Sequence, residues 1–251
     1  MFMHRFFIFQ PDVVSDEKVL ITSEELCHQF FNVLRFKVGE KIMILDNSGE
    51  EYLVELLEIS KKEVVGKVLE KRKNNAEAKI KICLYQAIQK SPEKFEMVLQ
   101  KGTEVGVSEF VPLITKRTER ESLHKLPRLE RILKESAEQS GRGIIPVLKE
   151  PVKTQKLLEN LIKSGGKSAE LNKKVVHVLA HPEAEKTLKD VSKILADGVE
   201  QINVYIGPEG GFTEQEIESA KEAGFILLNV GPRVLRSETA GIVIPALLTF
   251  L

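Results

Sequence analysis

Residues 206–213 read IGPEGGFT, and a second glycine-containing stretch, at residues 230–240, reads VGPRVLRSETA; together they are the most informative part of the chain. Each follows a short apolar run, at residues 202–206 and 226–230, that is typical of a β-strand, and each leads into a predicted helix. Ligands of α/β proteins bind at the carboxyl ends of such strands. Glycine and proline allow these loops to turn sharply and to approach a ligand closely. We therefore predict a binding site formed mainly by main-chain groups.

The composition is that of a globular protein with room for one large or two modest domains. Of 251 residues, 42% are hydrophobic, and 37 basic residues balance 37 acidic ones, so the net charge is zero. The overall charge therefore does not indicate a nucleic-acid partner. The charge is unevenly distributed, because residues 73–142 have an excess of basic side chains, densest between residues 116 and 142. This basic zone is either a surface that contacts phosphates or a solvated helix face.

Several common kinds of site are disfavoured. Two cysteines, Cys27 and Cys83, are too few for a disulfide scaffold or a zinc site, and the five histidines show no metal-binding pair, so we predict no metal. The sequence has neither the GxSxG motif of hydrolases nor the GxGxxG motif of dinucleotide-binding folds. The GKS sequence at residues 166–168 lacks the first glycine of a P-loop, because Leu161 stands there, so we interpret it as a helix end and surface loop.

Membrane and secretory segments are also not indicated. No apolar run is long enough to cross a membrane, and the start of the chain lacks the long apolar core of a signal peptide. We therefore expect a cytoplasmic protein with no membrane partner.

The first part of the chain is predicted to be a small β-barrel with one helix. The predicted strands are residues 6–9, 41–45, 52–59 and 63–69. A capping box of Thr22 and Glu25 predicts the start of the helix. The polar residues 71–77 show no pattern and are interpreted as a linker. We therefore predict two domains, residues 1–72 and residues 73–251.

In the second domain strands alternate with helices, which is typical of a parallel sheet covered by helices. The predicted strands are residues 80–87, 109–114, 175–180, 202–206 and 226–230. Thr213 and Glu216 form a capping box that begins the helix between the two glycine loops. The last predicted helix, residues 237–251, is apolar on nearly all sides, so we expect it to be buried in the core or in a subunit interface. Pro245 predicts a kink in it.

Polar residues near the predicted strand ends admit more than one interpretation. His177 lies within an apolar strand and is interpreted as a hydrogen-bonded core residue rather than a ligand. His181 and Pro182 follow that strand, where they either line the site or turn the chain. Arg236 and Glu238 place fixed charges beside the loops. Alternatively, Glu238 favours the positive N-terminus of the last helix while Arg236 pairs with it.

The two glycine-containing stretches, the second extended to VGPRVLRSETAGIVIPALL, strongly resemble the C-terminal motifs of the RsmE family. This family comprises the 16S rRNA (uracil-N3)-methyltransferases of the SPOUT superfamily. Further resemblances occur at residues 4–7, 28–35, 86–90, 101–107 and 138–142, so the similarity spans nearly the whole chain. Val105 stands where leucine is commoner in the family, and Ser237 where threonine is commoner. Neither departure changes a charged group, so we expect the activity to be retained.

The resemblance implies a fold, a cofactor and partners. The fold is α/β, with a SPOUT-type methyltransferase domain, a mainly parallel sheet with a C-terminal trefoil knot, preceded by a small PUA-like β-barrel that binds RNA. The cofactor is S-adenosylmethionine (SAM), bound in the knot of a homodimer near the subunit interface. The partner is 16S rRNA or the assembled small ribosomal subunit. The competing hypotheses are a non-catalytic RNA-binding protein of ribosome assembly, and a methyltransferase that acts on tRNA or a small molecule.

The activity that the resemblance implies assigns catalytic, SAM-binding and RNA-binding roles to residues of this sequence. Arg236 is predicted to stabilise the negative charge that develops on the uracil, and Glu238 or Glu209 to accept or relay its N3 proton. The predicted SAM-binding residues are Leu179, Ala180, His181, Pro182, Ile206, Gly207, Pro208, Glu209, Gly210, Gly211, Val230, Gly231, Arg233, Val234, Leu235, Arg236, Thr239 and Ala240. The predicted RNA-binding residues are Arg5, Arg35, Lys90, Lys116, Arg117, Arg120 and Arg142.

Overall fold

The computed structural model describes residues 3–164, 174–195 and 198–250, and the chain divides into two compact units. Unit 1 consists of Met1–Glu77 and Ala137–Ile145, and unit 2 of Ala78–Ser136 and Pro146–Leu251. The predicted division at residue 72 differs from this partition, because a later segment returns to unit 1. The Phe7 amide donates to Glu138 Oε1 at 2.8 Å, and the Ile145 amide donates to Asn47 Oδ1 at 2.8 Å.

Unit 1 is built on a six-stranded, mainly antiparallel sheet with the order β1-β4-β5-β6-β3-β2. Its strands are Arg5–Phe7 (β1), Val13–Val14 (β2), Lys18–Ile21 (β3), Lys41–Leu45 (β4), Glu50–Ile59 (β5) and Val64–Lys73 (β6). The β1–β4 pair is parallel. The long β5–β6 hairpin has two register shifts, and such bulges bend and twist a sheet. The curled sheet encloses a core in which the rings of Phe6 and Phe30 lie 4.5 Å apart.

The helix of unit 1, Glu24–His28 (α1), continues as a π-helical segment, Gln29–Val33. The predicted capping box of Thr22 and Glu25 is wrong, because the N-cap residue is Ser23 and its side chain makes no capping bond. A carboxylate from an earlier loop instead binds the two residues that precede the helix. Asp12 Oδ1 accepts from the amides of Thr22 and Ser23 at 2.6 and 2.7 Å, and Asp12 Oδ2 accepts from the Ser23 hydroxyl at 2.6 Å.

Part of the predicted linker is strand. Residues 71–73 complete β6, where Lys71 Nζ lies 2.9 Å from Glu50 and Arg72 Nε lies 2.6 Å from Glu51. The polar side chains that look patternless in the sequence therefore form cross-strand ion pairs, which stabilise adjacent strands.

Unit 2 contains a parallel sheet, as predicted. Among the described residues its order is β10-β8-β7-β12-β11-β13, with β9 beside β8. Its strands are Lys81–Ala87 (β7), Glu109–Ile114 (β8), Val147–Leu148 (β9), Val152–Lys153 (β10), Val175–Ala180 (β11), Gln201–Ile206 (β12) and Ile226–Leu228 (β13). All the pairs are parallel, so β12, β11 and β13 end at one edge of the sheet.

Helices follow the strands of unit 2 along the chain. They are Pro92–Glu104 (α2), Leu126–Ser140 (α3), Thr154–Lys163 (α4), Leu188–Leu195 (α5), Glu214–Glu222 (α6) and Ser237–Thr249 (α7), and the end of α3, from Ala137 on, belongs to unit 1. The capping box of Thr213 and Glu216 at the start of α6 is confirmed. A buried cluster that includes Tyr205 and Phe212 joins the sheet to α4 and α6. The GKS segment at residues 166–168 lies outside the described residues. No helix in the described part of the chain is long and apolar enough to span a bilayer.

Helix α7 packs on α2 and on strands β7 and β12. Its buried side includes Ile244, Pro245 and Leu248, so burial in the core explains much of its apolar character. Leu247 remains 38% exposed, and Phe250, just after the helix, is 86% exposed. Glu238 in its first turn is buried, which brings a carboxylate to the sheet edge where β11, β12 and β13 end.

Candidate functional site

A cavity of about 650 Å³ lies in unit 2, where the loops that follow β11, β12 and β13 meet. The cavity is lined by these predicted residues: Ala180, His181, Pro182, Ile206, Gly207, Pro208, Glu209, Gly210, Gly211, Val230, Arg233, Val234, Leu235, Arg236, Glu238 and Ala240. Three predicted SAM-binding residues, Leu179, Gly231 and Thr239, are not among its lining residues. Leu179 belongs instead to the hydrophobic core under α4 and α6.

The loop after β12, residues 207–211, is here called the glycine loop. It folds back on itself, since the Gly211 amide donates to the Pro208 carbonyl at 2.9 Å. A Cβ atom on Gly207 would lie 3.1 Å from the ring of Phe212 and 3.3 Å from the backbone of Gly211. Only glycine fits this close approach without displacing a buried ring, so the compact loop depends on Gly207.

Arg117 holds the glycine loop from the side. Its Nη1 donates to the Gly210 carbonyl at 2.6 Å, and the side chain lines the cavity. The adjacent Lys116 amide donates to Glu216 Oε1 at 3.0 Å, which connects the loop after β8 to the start of α6. Arg117 is a predicted RNA-binding residue, but its guanidinium is bonded to the wall of the cavity.

The first turn of α7 contacts the glycine loop through Ser237, whose hydroxyl donates to the Gly207 carbonyl at 2.6 Å. Sequence reasoning missed Ser237, Lys94 and Asn229 as lining residues. Ser237 and Asn229 lie in or beside the quoted stretches. Lys94 lies on α2, far away in the sequence, and no local signal relates it to the site.

Glu238 pairs with Lys94, and not with Arg236 as one interpretation expected. Lys94 Nζ lies 3.1 Å from Glu238 Oε1, and Gln89 Nε2 donates to Glu238 Oε2 at 3.4 Å. Burial alone would raise the pKa of the Glu238 carboxyl. The hydrogen bond from its own backbone amide and the charges of Lys94 and Arg236 outweigh that effect, so the pKa is lowered. The cavity wall therefore contains an ionised carboxylate beside two cations.

The other two predicted catalytic residues are more accessible. Arg236 is the exposed N-cap residue of α7. Glu209, also exposed, accepts a hydrogen bond from the Lys90 amide at 3.3 Å through Oε1. The cavity thus combines the exposed guanidinium of Arg236, the exposed carboxylate of Glu209 and the Lys94–Glu238 pair with main-chain groups of the three loops.

The predicted RNA-binding residues are divided between the two units. In unit 2, Lys90, Lys116 and Arg120 lie in loops after β7 and β8, and Arg120 Nη1 donates to the Lys90 carbonyl at 3.2 Å. In unit 1, Arg35 is exposed and Arg5 is half-buried.

Arg142 requires a correction, because only 2% of it is exposed and its guanidinium pairs with Glu77 at 2.5 Å. A cation that is buried and paired in this way cannot be an exposed phosphate contact. The turn that carries Arg142 belongs to unit 1, and no local sequence pattern indicates that the returning segment buries it.

His177 is a core residue, as interpreted from the sequence. Its Nδ1 lies 2.9 Å from the Tyr205 hydroxyl, and burial lowers its pKa to about 4, so the imidazole is neutral at physiological pH. His181 lines the cavity, while its amide donates to the Leu228 carbonyl at 3.0 Å, so it both turns the chain and borders the site. Among the described residues no group of three His, Cys, Asp or Glu side chains is arranged to hold a metal ion.

Comparison with known proteins places this architecture among RNA-modifying enzymes. Residues 76–249 match the family model described as an RNA methyltransferase domain, and residues 21–69 match the model of an RNA methyltransferase PUA domain. Ribosomal RNA small subunit methyltransferase E of Bacillus subtilis (strain 168) is 32% identical over 250 residues, covering 95% of this chain and 93% of the relative.

Two solved structures resemble the whole chain. Ribosomal RNA small subunit methyltransferase E of Neisseria gonorrhoeae, solved bound to S-adenosyl methionine, has a TM-score of 0.84 at 26% identity, covering 99% of this chain and 98% of the other. A Legionella pneumophila structure in complex with the bound cofactor SAM has a TM-score of 0.79 at 30% identity, covering 100% of this chain and 98% of the other.

Proposed function

Because this chain belongs to the ribosomal RNA small subunit methyltransferase E family, we propose that it transfers a methyl group from SAM to N3 of one uridine in 16S rRNA. The observation that carries the proposal is the cavity at the ends of β11, β12 and β13, which combines main-chain groups with an ionised carboxylate and two cations. The SAM-bound relatives and the family resemblance of both glycine-containing stretches support the same activity.

The residues of the cavity fit SAM. A volume of about 650 Å³ lies within the range of small-molecule sites, which is roughly 300–1,000 Å³. The close approach at Gly207 shapes a cradle of backbone, and Leu228, Val230 and Leu235 offer apolar surface for a flat heterocycle. We propose that these loops hold SAM, which when bound supplies an electrophilic methyl group on a sulfonium centre.

The substrate atom imposes two tasks on the protein. N3 of uracil lies on the Watson–Crick edge, so the base must leave its pairing partner to be reached. N3 also carries a proton, and its loss leaves negative charge on O2 and O4. We assign Arg236 to the stabilisation of that charge, because its exposed guanidinium lies on the cavity wall.

The lowered pKa of Glu238 indicates different roles for the carboxylates of Glu238 and Glu209. A carboxylate whose pKa is lowered is a weaker base, and it is less suited to remove a proton at neutral pH. We therefore assign Glu238 to holding Lys94 in the cavity wall. Glu209, which is more exposed, is the better candidate to accept the N3 proton, directly or through water.

RNA contact is assigned to both units. We propose that unit 1, with its curled sheet, acts as a PUA-like barrel of about residues 1–72, and that Arg5 and Arg35 contact RNA there. Lys90, Lys116 and Arg120 contact phosphates from unit 2. Neutralising these three residues together should reduce the slope of log affinity against log salt by about 2, since each lost contact to single-stranded RNA removes about 0.7. An unchanged slope would argue against these contacts.

Three further features of the proposal rest on the family resemblance. They are a C-terminal trefoil knot around the cavity, a homodimer, and activity in the cytoplasm on 16S rRNA or the assembled small subunit.

Labelled SAM tests the proposed function. The purified protein is incubated with free 16S rRNA, assembled small subunits or tRNA, and the labelled nucleoside is identified by mass spectrometry. We expect 3-methyluridine in rRNA or subunits, and a loss of about 100-fold in kcat for Arg236→Ala. Arg131→Ala, which removes an exposed arginine from α3, is the matched control. Label in tRNA alone, or SAM binding without transfer to any RNA, would replace the proposal by one of the competing hypotheses.

A further inference from the structure

A buried glutamine connects the central strand of unit 2 to the glycine loop. Gln86, near the end of β7, is only 1% exposed. Its Nε2 donates to the Ser237 hydroxyl at 2.9 Å and to the Ala87 carbonyl at 3.3 Å. The Ser237 hydroxyl in turn donates to the Gly207 carbonyl at 2.6 Å. Three separate parts of the chain, β7, α7 and the glycine loop, are therefore joined by one line of hydrogen bonds.

The direction of these bonds follows from their chemistry. A backbone carbonyl only accepts, so the Gln86 atom beside the Ala87 carbonyl must be the amide nitrogen. That nitrogen therefore donates to Ser237, whose single hydroxyl proton is left for the Gly207 carbonyl. Without Gln86, the hydroxyl of Ser237 would lose the donor that fixes its orientation.

We propose that Gln86 is a positioning residue for the cofactor, which holds the glycine loop in its binding shape through Ser237. This inference rests on the proposed function, because it assigns SAM to the cavity that the loop lines. The Arg117 bond to Gly210 anchors the far side of the loop, and the Gln86–Ser237 relay anchors its start. A loop held at both ends loses little conformational freedom on binding, and this preorganisation increases affinity.

Two features around the Gln86 amide are unfavourable for the stability of the protein. Its Oε1 is buried and has no hydrogen-bond partner among the described residues. A Cβ atom on Gly241, in the interior of α7, would overlap Gln86 Oε1. An apolar side chain at position 86 would avoid the unpaired oxygen, and alanine at 241 would favour the helix. Both features are explained if the amide must reach Ser237.

SAM affinity and steady-state kinetics test the relay. Gln86→Leu removes the amide, and Ser237→Ala removes the hydroxyl. We expect each to raise the Kd of SAM, measured by calorimetry, and its KM by about tenfold, the equivalent of one hydrogen bond, with kcat at saturating SAM unchanged. The double variant should bind no more weakly than Ser237→Ala alone, because both changes break one relay. Ser237→Thr keeps the hydroxyl and should stay within about twofold of the unaltered protein.

Gln201→Leu is the matched control, because it makes the same substitution at a buried glutamine of the same sheet. Gln201 begins β12 and donates to Asn203 Oδ1 at 2.8 Å, away from the glycine loop. We expect it to leave the Kd of SAM unchanged, whatever it does to the melting temperature.

The outcomes separate this inference from the proposed function. If the unaltered protein does not bind SAM, the proposed function fails. If it binds SAM, and folded Gln86→Leu binds equally well or the double variant shows additive losses, the positioning role fails while the proposed function stands. Should Gln86→Leu not fold, Ser237→Ala and Ser237→Thr decide the question, and equal affinity of these two variants overturns the relay.

Discussion

Replacing Lys94 by methionine removes the cation nearest to the Glu238 carboxylate while it keeps a side chain of similar length. In the folded protein Lys94 Nζ lies 3.1 Å from Glu238 Oε1, with 33% of the lysine side chain and 8% of the glutamate side chain exposed. The variant leaves a buried carboxylate whose remaining polar contacts are its own backbone amide and Gln89 at 3.4 Å. We expect a loss of stability without a loss of fold.

The magnitude follows from the exposure of the two partners. A hydrogen bond to a charged group contributes about 1.5–3 kcal/mol, whereas an exposed ion pair contributes about 0–1 kcal/mol. Water screens this pair from the lysine side only, so we expect Lys94→Met to lower the free energy of unfolding by about 1.5 kcal/mol at pH 7. For a protein of this size the melting temperature should fall by about 3–6 °C.

The pH dependence has a definite sign. The pKa of Glu238 is lowered in the folded protein from its ordinary value of 4.5. The stability that the pair contributes is therefore fully present above pH 4.5 and is lost as the pH falls through the lower, folded value. The difference between Lys94→Met and the unaltered protein should consequently shrink below pH 4.5.

Urea denaturation of a double-mutant cycle measures the pair directly. Glu238→Gln removes the charge, and the coupling between the two substitutions should be about 1 kcal/mol. Lys101→Met is the control, because Lys101 lies on the same helix and pairs with Glu104 one turn away, where both side chains are partly exposed. It should change stability by less than about 0.5 kcal/mol. If Lys94→Met costs as much in the Glu238→Gln background as alone, the ion pair is not the cause of the loss.

Three other substitutions test separate features of the structure. Gly207→Ala places a methyl group against a buried ring and should weaken SAM binding about tenfold by calorimetry, and an unchanged Kd would show that the loop yields without consequence. His177→Gln removes a group whose pKa is lowered from 6.5 to about 4. The unaltered protein should lose up to about 3 kcal/mol of unfolding free energy as the pH falls from 6.5 to 4, and the variant should lose much less of it. Identical pH profiles of the two proteins in urea denaturation would refute the assignment. Arg142→Met leaves Glu77 without its buried partner and should cost about 3 kcal/mol in unfolding free energy, yet leave the salt dependence of RNA binding unaltered; a reduced slope would return Arg142 to the RNA surface.

Much of the fold could be predicted because its signals are local. Strands β4, β8 and β11 occupy the predicted residues, and Thr213 and Glu216 cap α6 as their spacing indicates. The same kind of signal failed at Thr22 and Glu25, because Asp12 from a separate loop accepts from the Thr22 amide, which the Glu25 side chain would bind in a capping box. A capping motif is reliable only when no stronger acceptor is brought in by the tertiary fold.

Some features of the candidate site could likewise be predicted from local signals, and others could not. The glycine loop and the stretch that begins α7 could be located from sequence, because glycine, proline and capping residues are constrained by the backbone of their own segment. The interaction partners of the charged residues could not be predicted from sequence. Lys94, Arg117 and Arg142 appear in the sequence as members of one basic zone. In the structure Lys94 pairs with Glu238, Arg117 bonds to the Gly210 carbonyl, and Arg142 is buried against Glu77.

The amino-acid sequence alone was enough to predict where most of the longer strands and helices lie, which loops can turn tightly, and which family the motifs resemble. The tertiary structure alone decided which side chains from distant segments meet, including the relay from Gln86 to Gly207. The physical reason is the range of the forces involved. Backbone conformation responds to neighbours within one helical turn or one strand, whereas an ion pair or a side-chain hydrogen bond requires atoms within about 3 Å, which depends on how the strands are ordered in the sheet.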